Sequence, residues 1–399
     1  MPLRFINKFL HGQYSSSIVL IFATLLALAV ANSPFIEAYQ AILHSHIGFN
    51  NNWITLDLTV QHWVNDGLMV LFFLLVGLEI KREFLQGELG TIRKASFPII
   101  CAIGGVVAPA LIFMFINKND SAHWSGWAIP TATDIAFALG LLALGGKHVP
   151  LSLKVFLTAL AIIDDLIAII IIALFYGEPL NIDAFFISIV VVFALLALNV
   201  MRIKHLWPYV LLGFFLWISI LQSGLHPTIA GVLLALMIPI DENKDKSPLH
   251  RLEGALHPLS AFIIMPLFAL ANAGLSFAGI SFKDIFNTLP LGIILGLFFG
   301  KQIGIILAGK VAINMGWAQL PVDVTPRQFY AVAILAGIGF TMSLFIGSLA
   351  FKSNELDNLV RLGVMAGSLL SAVVGIILLR SGPGKKPADY IPHDPEESA

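Results

Sequence analysis

A chain of 399 residues with 58% hydrophobic and 12% charged residues departs from soluble proteins, where about a quarter of residues are charged. Mean hydropathy is +0.88, the signature of a polytopic membrane protein. A formal net charge of -1 gives no sign of a nucleic-acid or other polyanion partner, and the single cysteine, Cys101, excludes an internal disulfide and a cysteine-based metal cluster.

In chain order, Arg4 and Lys8 precede the apolar stretch SIVLIFATLLALAVA. Its end at Ala29-Val30-Ala31 resembles a signal-peptidase site, yet the expectation is a retained first helix. Apolar runs long enough to cross about 30 Å of hydrocarbon lie near residues 14–32, 59–80, 96–117, 151–176, 182–201, 290–311, 327–350 and 357–380. Four more, at 122–145, 206–222, 224–238 and 249–274, are shorter or interrupted. The expected fold is therefore all-α, with about 12 transmembrane helices in one integral domain over residues 1–380. Between the first two runs, IGFNNNWITLDL offers strand-forming residues around an Asn-rich turn and reads as a short hairpin over residues 47–58. The tail 381–399, rich in Pro, Gly and charge, reads as disordered.

Lys and Arg set the orientation. With the N-terminus inside, eighteen fall on the inner side and four, Lys118, Lys283, Lys352 and Arg361, on the outer. Both termini are expected in the cytoplasm, and Lys301 falls within a span.

The stretch ALAIIDDLIAIIIIALF sets Asp164 and Asp165 side by side among apolar residues. Insertion of an Asp or Lys at a helix centre costs about 2.5 to 3.5 kcal/mol. Asp134, Asp164, Asp165 and Lys301 must therefore face one another or water. Counting about 1.5 Å per residue from the membrane rims puts all of them near the midplane. Two spans also carry breaking signals there. In GWAIPTATDIAFALG, Pro130 lacks an N–H while Thr131 and Thr133 offer hydroxyls; in ILAGIGFTMSLF, Gly337 and Gly339 fall at similar depth. Opposed half-helices would present positive N-termini and negative C-termini, which an aspartate and a lysine can neutralise. A glycine pair alone more often means close packing, but adjacent aspartates with a lysine at matching depth point to function.

A second charged group, Glu79, Arg82 and Glu83, has helical spacings of three and four and shares one face at the inner end of the second long run. Glu253, beside Arg251, can join it. By itself this is a charge-paired helix end.

Taken together, ALAIIDDLIAIIIIALFY, GWAIPTATDIAFALG, FFLLVGLEIKRE, PLFALANAG and GIGFTMSLFIGSLAF resemble the NhaA family of bacterial sodium/proton antiporters over essentially the whole chain. That family is itself a standing example of inverted repeats with midplane sites between broken helices. The resemblance implies repeat units at about residues 96–176 and 290–380, each with an interrupted middle helix. It implies a multi-pass protein of the bacterial inner membrane, a homodimer formed partly through the outer hairpin, and electrogenic, pH-regulated export of Na+ (and Li+) for H+. No cofactor and no catalytic residue are expected.

Two neighbouring carboxylates in a poorly hydrated site disfavour the doubly ionised state, so protons and sodium compete for the same oxygens. Asp165 is the first choice of cation ligand, with Asp164 as partner and Thr133 as auxiliary contact; Lys301 either pairs with Asp164 or stabilises the assembly electrostatically. Family likeness also links Glu79, Arg82, Glu83, Glu253 and His257 to pH sensing. Gly254 stands where relatives can carry His, and His226 reads as structural or modulatory. The rival function is a sodium-coupled symporter of an organic solute. An intramembrane aspartyl protease lacks its YD and GxGD pattern here, and a passive channel would be obstructed by a midplane lysine.

Overall fold

The computed structural model describes residues 15–50, 55–146, 149–278, 281–319 and 323–381. Among them, nine helices are long and apolar enough to cross a membrane, or eleven if each of two bent pairs counts as one span. The shorter apolar helix Thr228–Met237 comes in addition. Residues 382–399, expected as a disordered tail, and the hairpin turn at 51–54 lie outside the described residues.

The expected hairpin is present. His46–Asn50 pairs antiparallel with Thr55–Thr59, with Gly48 opposite Asp57. A Cβ at Gly48 would collide with the Leu56 carbonyl, so glycine permits the close backbone approach.

Burial distinguishes the spans. Ile182–Val200 is 17% buried and turns Phe186, Val190 and Phe193 outward, whereas Pro326–Ala350 is 94% buried. The second is therefore the central element. A large apolar cluster surrounds it, with Leu20 and Ala27 of the first helix, Phe73, Phe113, Leu160, Phe268, Leu297 and Phe345. A smaller one, including Leu195, Tyr209, Leu216, Ile220 and Leu234, joins Ile182–Val200, Leu206–Ser223 and Thr228–Met237 to the span Val60–Gln86.

Small residues set the closest contacts, as expected where the solvent is as apolar as the side chains. A Cβ on Gly77 would stand 2.7 Å from Ala235 Cβ, and one on Gly231 would meet the Val70 carbonyl. Lys81 seals the end of this pair by donating to Leu236 O (2.7 Å) and Ile238 O (2.6 Å), carbonyls that the end of Thr228–Met237 leaves without helical donors. The span Ala95–Ile116 meets Thr288–Asn314 in the same way, Gly104 lying against Gly304.

Both expected interruptions exist. The first runs as a 3-10 helix over Ser121–Thr131, is extended through Ala132 and Asp134, and resumes as Ile135–Ala143 after a 43° bend. The second leaves Pro326–Leu335 through residues 336–339 and resumes as Phe340–Ala350. Gly339 has φ of -90°, so its glycine answers to crowding rather than to backbone conformation: a Cβ there would meet the Ser343 hydroxyl and Leu297.

Candidate cation site

The two breaks are bonded to each other. Asp134 N–H donates to Ile338 O at 2.7 Å. The Asp134 carboxylate then serves two helix starts at once. Oδ1 accepts from Phe137 N–H at 2.9 Å, while Oδ2 accepts from Thr341 N–H at 3.2 Å and from the Thr341 hydroxyl. Helix N-termini carry unsatisfied N–H groups and partial positive charge, so one carboxylate caps and neutralises both resumed half-helices.

Serines complete the junction. Ser343 Oγ donates to Ile129 O at 2.6 Å, and Ser368 Oγ accepts from Phe340 N–H at 3.1 Å. Gly337 is flush against the Leu297 carbonyl and Ser371 Oγ, with no room for a Cβ.

Against this junction lies the helix Leu151–Phe175, which carries Asp164 and Asp165, 1% and 2% exposed. The fully buried Lys301 donates to Asp164 Oδ2 at 2.5 Å. Of the two arrangements the sequence left open for Lys301, this one is direct pairing with Asp164. Thr133 Oγ1 stands 2.7 Å from Asp164 Oδ2 and 2.7 Å from Ala336 O; its single proton can serve one acceptor at a time. Asp164 Oδ1 and Asp165 Oδ1 are buried without a hydrogen-bond partner among the described residues. An unsatisfied buried carboxylate oxygen is costly, so both can gain from a proton or a hard cation.

Chemically, the arrangement combines two adjacent acids, one held by an ammonium and a hydroxyl, with carbonyls freed by the breaks. All five sequence-selected groups here, Thr133, Asp134, Asp164, Asp165 and Lys301, come together with Gly337 and Gly339 at one junction. Thr341, Ser343 and Ser368 were missed: a hydroxyl in an apolar helix ordinarily bonds a carbonyl of its own preceding turn. The available signal was the position of Thr341 just after the Gly337 and Gly339 break.

The second cluster forms in part. Arg82 Nε donates to Glu253 Oε1 at 2.9 Å and its Nη1 to Glu83 Oε1 at 2.6 Å. Glu79 is half-buried on the same helix, and His257 is exposed and bonds to none of these groups. On the hairpin side, a cavity of about 790 Å³ is lined by Asp66, Glu178, His226 and Asp357. Hydrogen bonding to Lys352 at 2.6 Å holds the Glu178 carboxyl below its ordinary range. His226 Nδ1 lies 2.7 Å from Thr228 Oγ1 and its ring meets Phe345 edge-on, at 5.5 Å between centroids.

A family model described as Na+/H+ antiporter 1 matches residues 7–379. The Na(+)/H(+) antiporter NhaA of Aliivibrio salmonicida is 50% identical over 386 residues, covering 96% of this chain and 99% of the relative. Proteins of the same name from Mesorhizobium japonicum and Aeromonas hydrophila are each 49% identical, covering 96% of this chain and 96% and 98% of their own lengths. Matched along nearly its whole length, and carrying its buried acids at the junction of two broken helices, the chain belongs to the Na+/H+ antiporter 1 family.

Proposed function

We propose that this chain is a Na+/H+ antiporter in which Asp164 and Asp165 alternately carry protons and a sodium ion. The observation that carries the reading is the buried pair of adjacent acids, one tied to Lys301 and Thr133 and both with an unpartnered oxygen. In the proton-loaded form, Asp165 is neutral and Asp164 is paired with Lys301. Loss of the proton leaves two carboxylates around one ammonium, and sodium restores the balance by taking oxygens of Asp165 and Asp164. Thr133 can then direct its proton to Ala336 O and offer a lone pair to the ion. Adjacent helix positions point about 100° apart, so Asp165 is the primary ligand and Asp164 its partner. Sodium on Asp164 releases Lys301, and the proton shared by that pair leaves as well, so each sodium ion replaces the Asp165 proton and one more.

The architecture belonging to this reading is 12 spans with inverted units at about 96–176 and 290–380, the two interrupted helices crossing at the midplane. The whole forms a single integral domain over residues 1–380, with both termini in the cytoplasm of a bacterium and the inner membrane as its location. The lysine and arginine asymmetry supports that orientation. Ion movement exchanges more proton charge inward than sodium charge outward, and each net charge gains about 2.3 kcal/mol per 100 mV. Lithium, a hard monovalent cation, is a second substrate, and the hairpin His46–Asn50 with Thr55–Thr59 serves a homodimer. Glu79, Arg82, Glu83 and Glu253 regulate activity with pH from the inner rim. No cofactor takes part.

The test is exchange in proteoliposomes: adding Na+ or Li+ should release internal protons in a potential-dependent way, with no organic solute needed. Dependence on a co-transported solute would favour the symporter.

A further inference from the structure

The span Thr288–Asn314 is helical throughout, but at Gly296–Gly300 it widens into a π-turn in which the backbone N–H of Lys301 bonds to Gly296 O, five residues back. Such turns are rare inside α-helices and occur frequently at functional sites. Here the turn immediately precedes the buried lysine that holds Asp164.

Its neighbours are all parts of the site's scaffold. A Cβ on Gly296 would stand 2.7 Å from Pro130 Cβ, beside the first break. Leu297 faces the second break, its carbonyl against Gly337 and its side chain 2.8 Å from where a Cβ on Gly339 would be. A Cβ on Gly300 would come within 2.6 Å of Pro109 Cα and 2.9 Å of its nitrogen, backbone atoms that cannot turn aside. The lysine stem then crosses Gly105, where a Cβ would lie 3.6 Å from Lys301 Cδ. One turn of helix therefore touches both breaks and Pro109, and delivers the ammonium.

We infer that the π-turn Gly296–Gly300 is the positioning element of Lys301, with Gly300 as its pivot, and that it ties the grip of Lys301 on Asp164 to the state of the two breaks. The inference rests on the antiport reading. One residue of an α-helix corresponds to about 100° of rotation. Rewinding this turn into α-helical register swings Lys301 by about that angle, off Asp164. The charges sharing its surroundings are Asp164 and Asp165 on Leu151–Phe175 and Asp134 at the first break, with Glu79 acting on Asp165. The spans Ala95–Ile116 and Pro326–Ala350 bring no charge to this depth.

The test is a double-mutant cycle in proteoliposomes. Gly300→Ala should lower the KM for Na+ about tenfold, because the ion no longer has to displace a charge-assisted contact from Asp164, and reproduce the pH profile of Lys301→Ala. Because Gly300 acts through Lys301, the double variant should match Lys301→Ala alone. Gly304→Ala, which meets the Gly104 backbone one turn further on, should lower thermal stability without moving KM or pH profile. Gly296→Ala provides a second route if Gly300→Ala does not fold. In the unmodified protein, backbone hydrogen exchange over residues 296–302 should rise with saturating Na+ while residues 303–314 stay unchanged. Additive changes, a wild-type or raised KM in Gly300→Ala, or exchange over 296–302 indifferent to Na+ would overturn the inference. Wild-type vesicles that move no protons on Na+ addition would instead overturn the antiport reading.

Discussion

Replacing Thr341 by valine removes one hydroxyl and little volume. That hydroxyl donates to Asp134 Oδ2, which also receives the Thr341 N–H at 3.2 Å, while Oδ1 keeps the Phe137 N–H at 2.9 Å. Asp134 is 1% exposed and Thr341 fully buried, so water cannot easily replace the donor. A hydrogen bond to a charged group contributes about 1.5–3 kcal/mol, and the two retained N–H donors place the loss near 2 kcal/mol. Thr341→Ser keeps the hydroxyl and loses one methyl group, about 0.8 kcal/mol. For chains of 150–250 residues 1 kcal/mol moves Tm by about 2–4 °C, and the shift is smaller in a longer chain. Thermal unfolding in detergent should therefore lower Tm by roughly 2–6 °C for valine and by less than about 2 °C for serine. Valine as stable as wild type, or serine worse than valine, would refute the account of Asp134 as the charged anchor of both half-helices.

Glu79→Gln and Glu253→Gln should shift the pH dependence of exchange in proteoliposomes; profiles matching wild type would remove the inner rim from pH regulation. Gly48→Val forces a side chain into the Leu56 carbonyl and should shift the population from dimer to monomer in size-exclusion chromatography, whereas an unchanged dimer would separate the hairpin from assembly. The Glu178 and Lys352 side chains are 68% and 83% exposed, so Lys352→Ala should change stability by less than about 0.5 kcal/mol. Because Lys352 lowers the Glu178 proton affinity, that small contribution is present at neutral pH and fades as the pH falls through the carboxylate range. A larger loss, or one that grows in acid, would contradict this sign.

The membrane class, the hairpin, both breaks and the acid pair were legible because each violates a strong rule. Charges in lipid, a proline in mid-span and an Asn-rich turn between apolar runs stand out from their surroundings. Thr341 and Ser343 were not legible, since an isolated hydroxyl fits an apolar helix without remark. The pairing of Lys301 with Asp164 needed three dimensions: equal depth in two spans says nothing of which face each presents. The π-turn at Gly296–Gly300 was equally hidden, because its glycines, spaced like an ordinary close-packing seam, carry no sign of the extra residue per turn. Helical spacing had already put Glu79, Arg82 and Glu83 on one side and Glu253 was expected to join them, but that its partner is Arg82, 171 residues away, came only from the packing of two spans.

The central claim is that Asp165 carries the exchanged ions. Na+-induced proton release from proteoliposomes under a clamped potential, compared between wild type and Asp165→Asn, tests it most directly. The asparagine can neither release a proton nor present a charged ligand, so exchange should fall to background while the protein remains folded. Exchange at the wild-type rate in the folded Asp165→Asn protein would contradict the account.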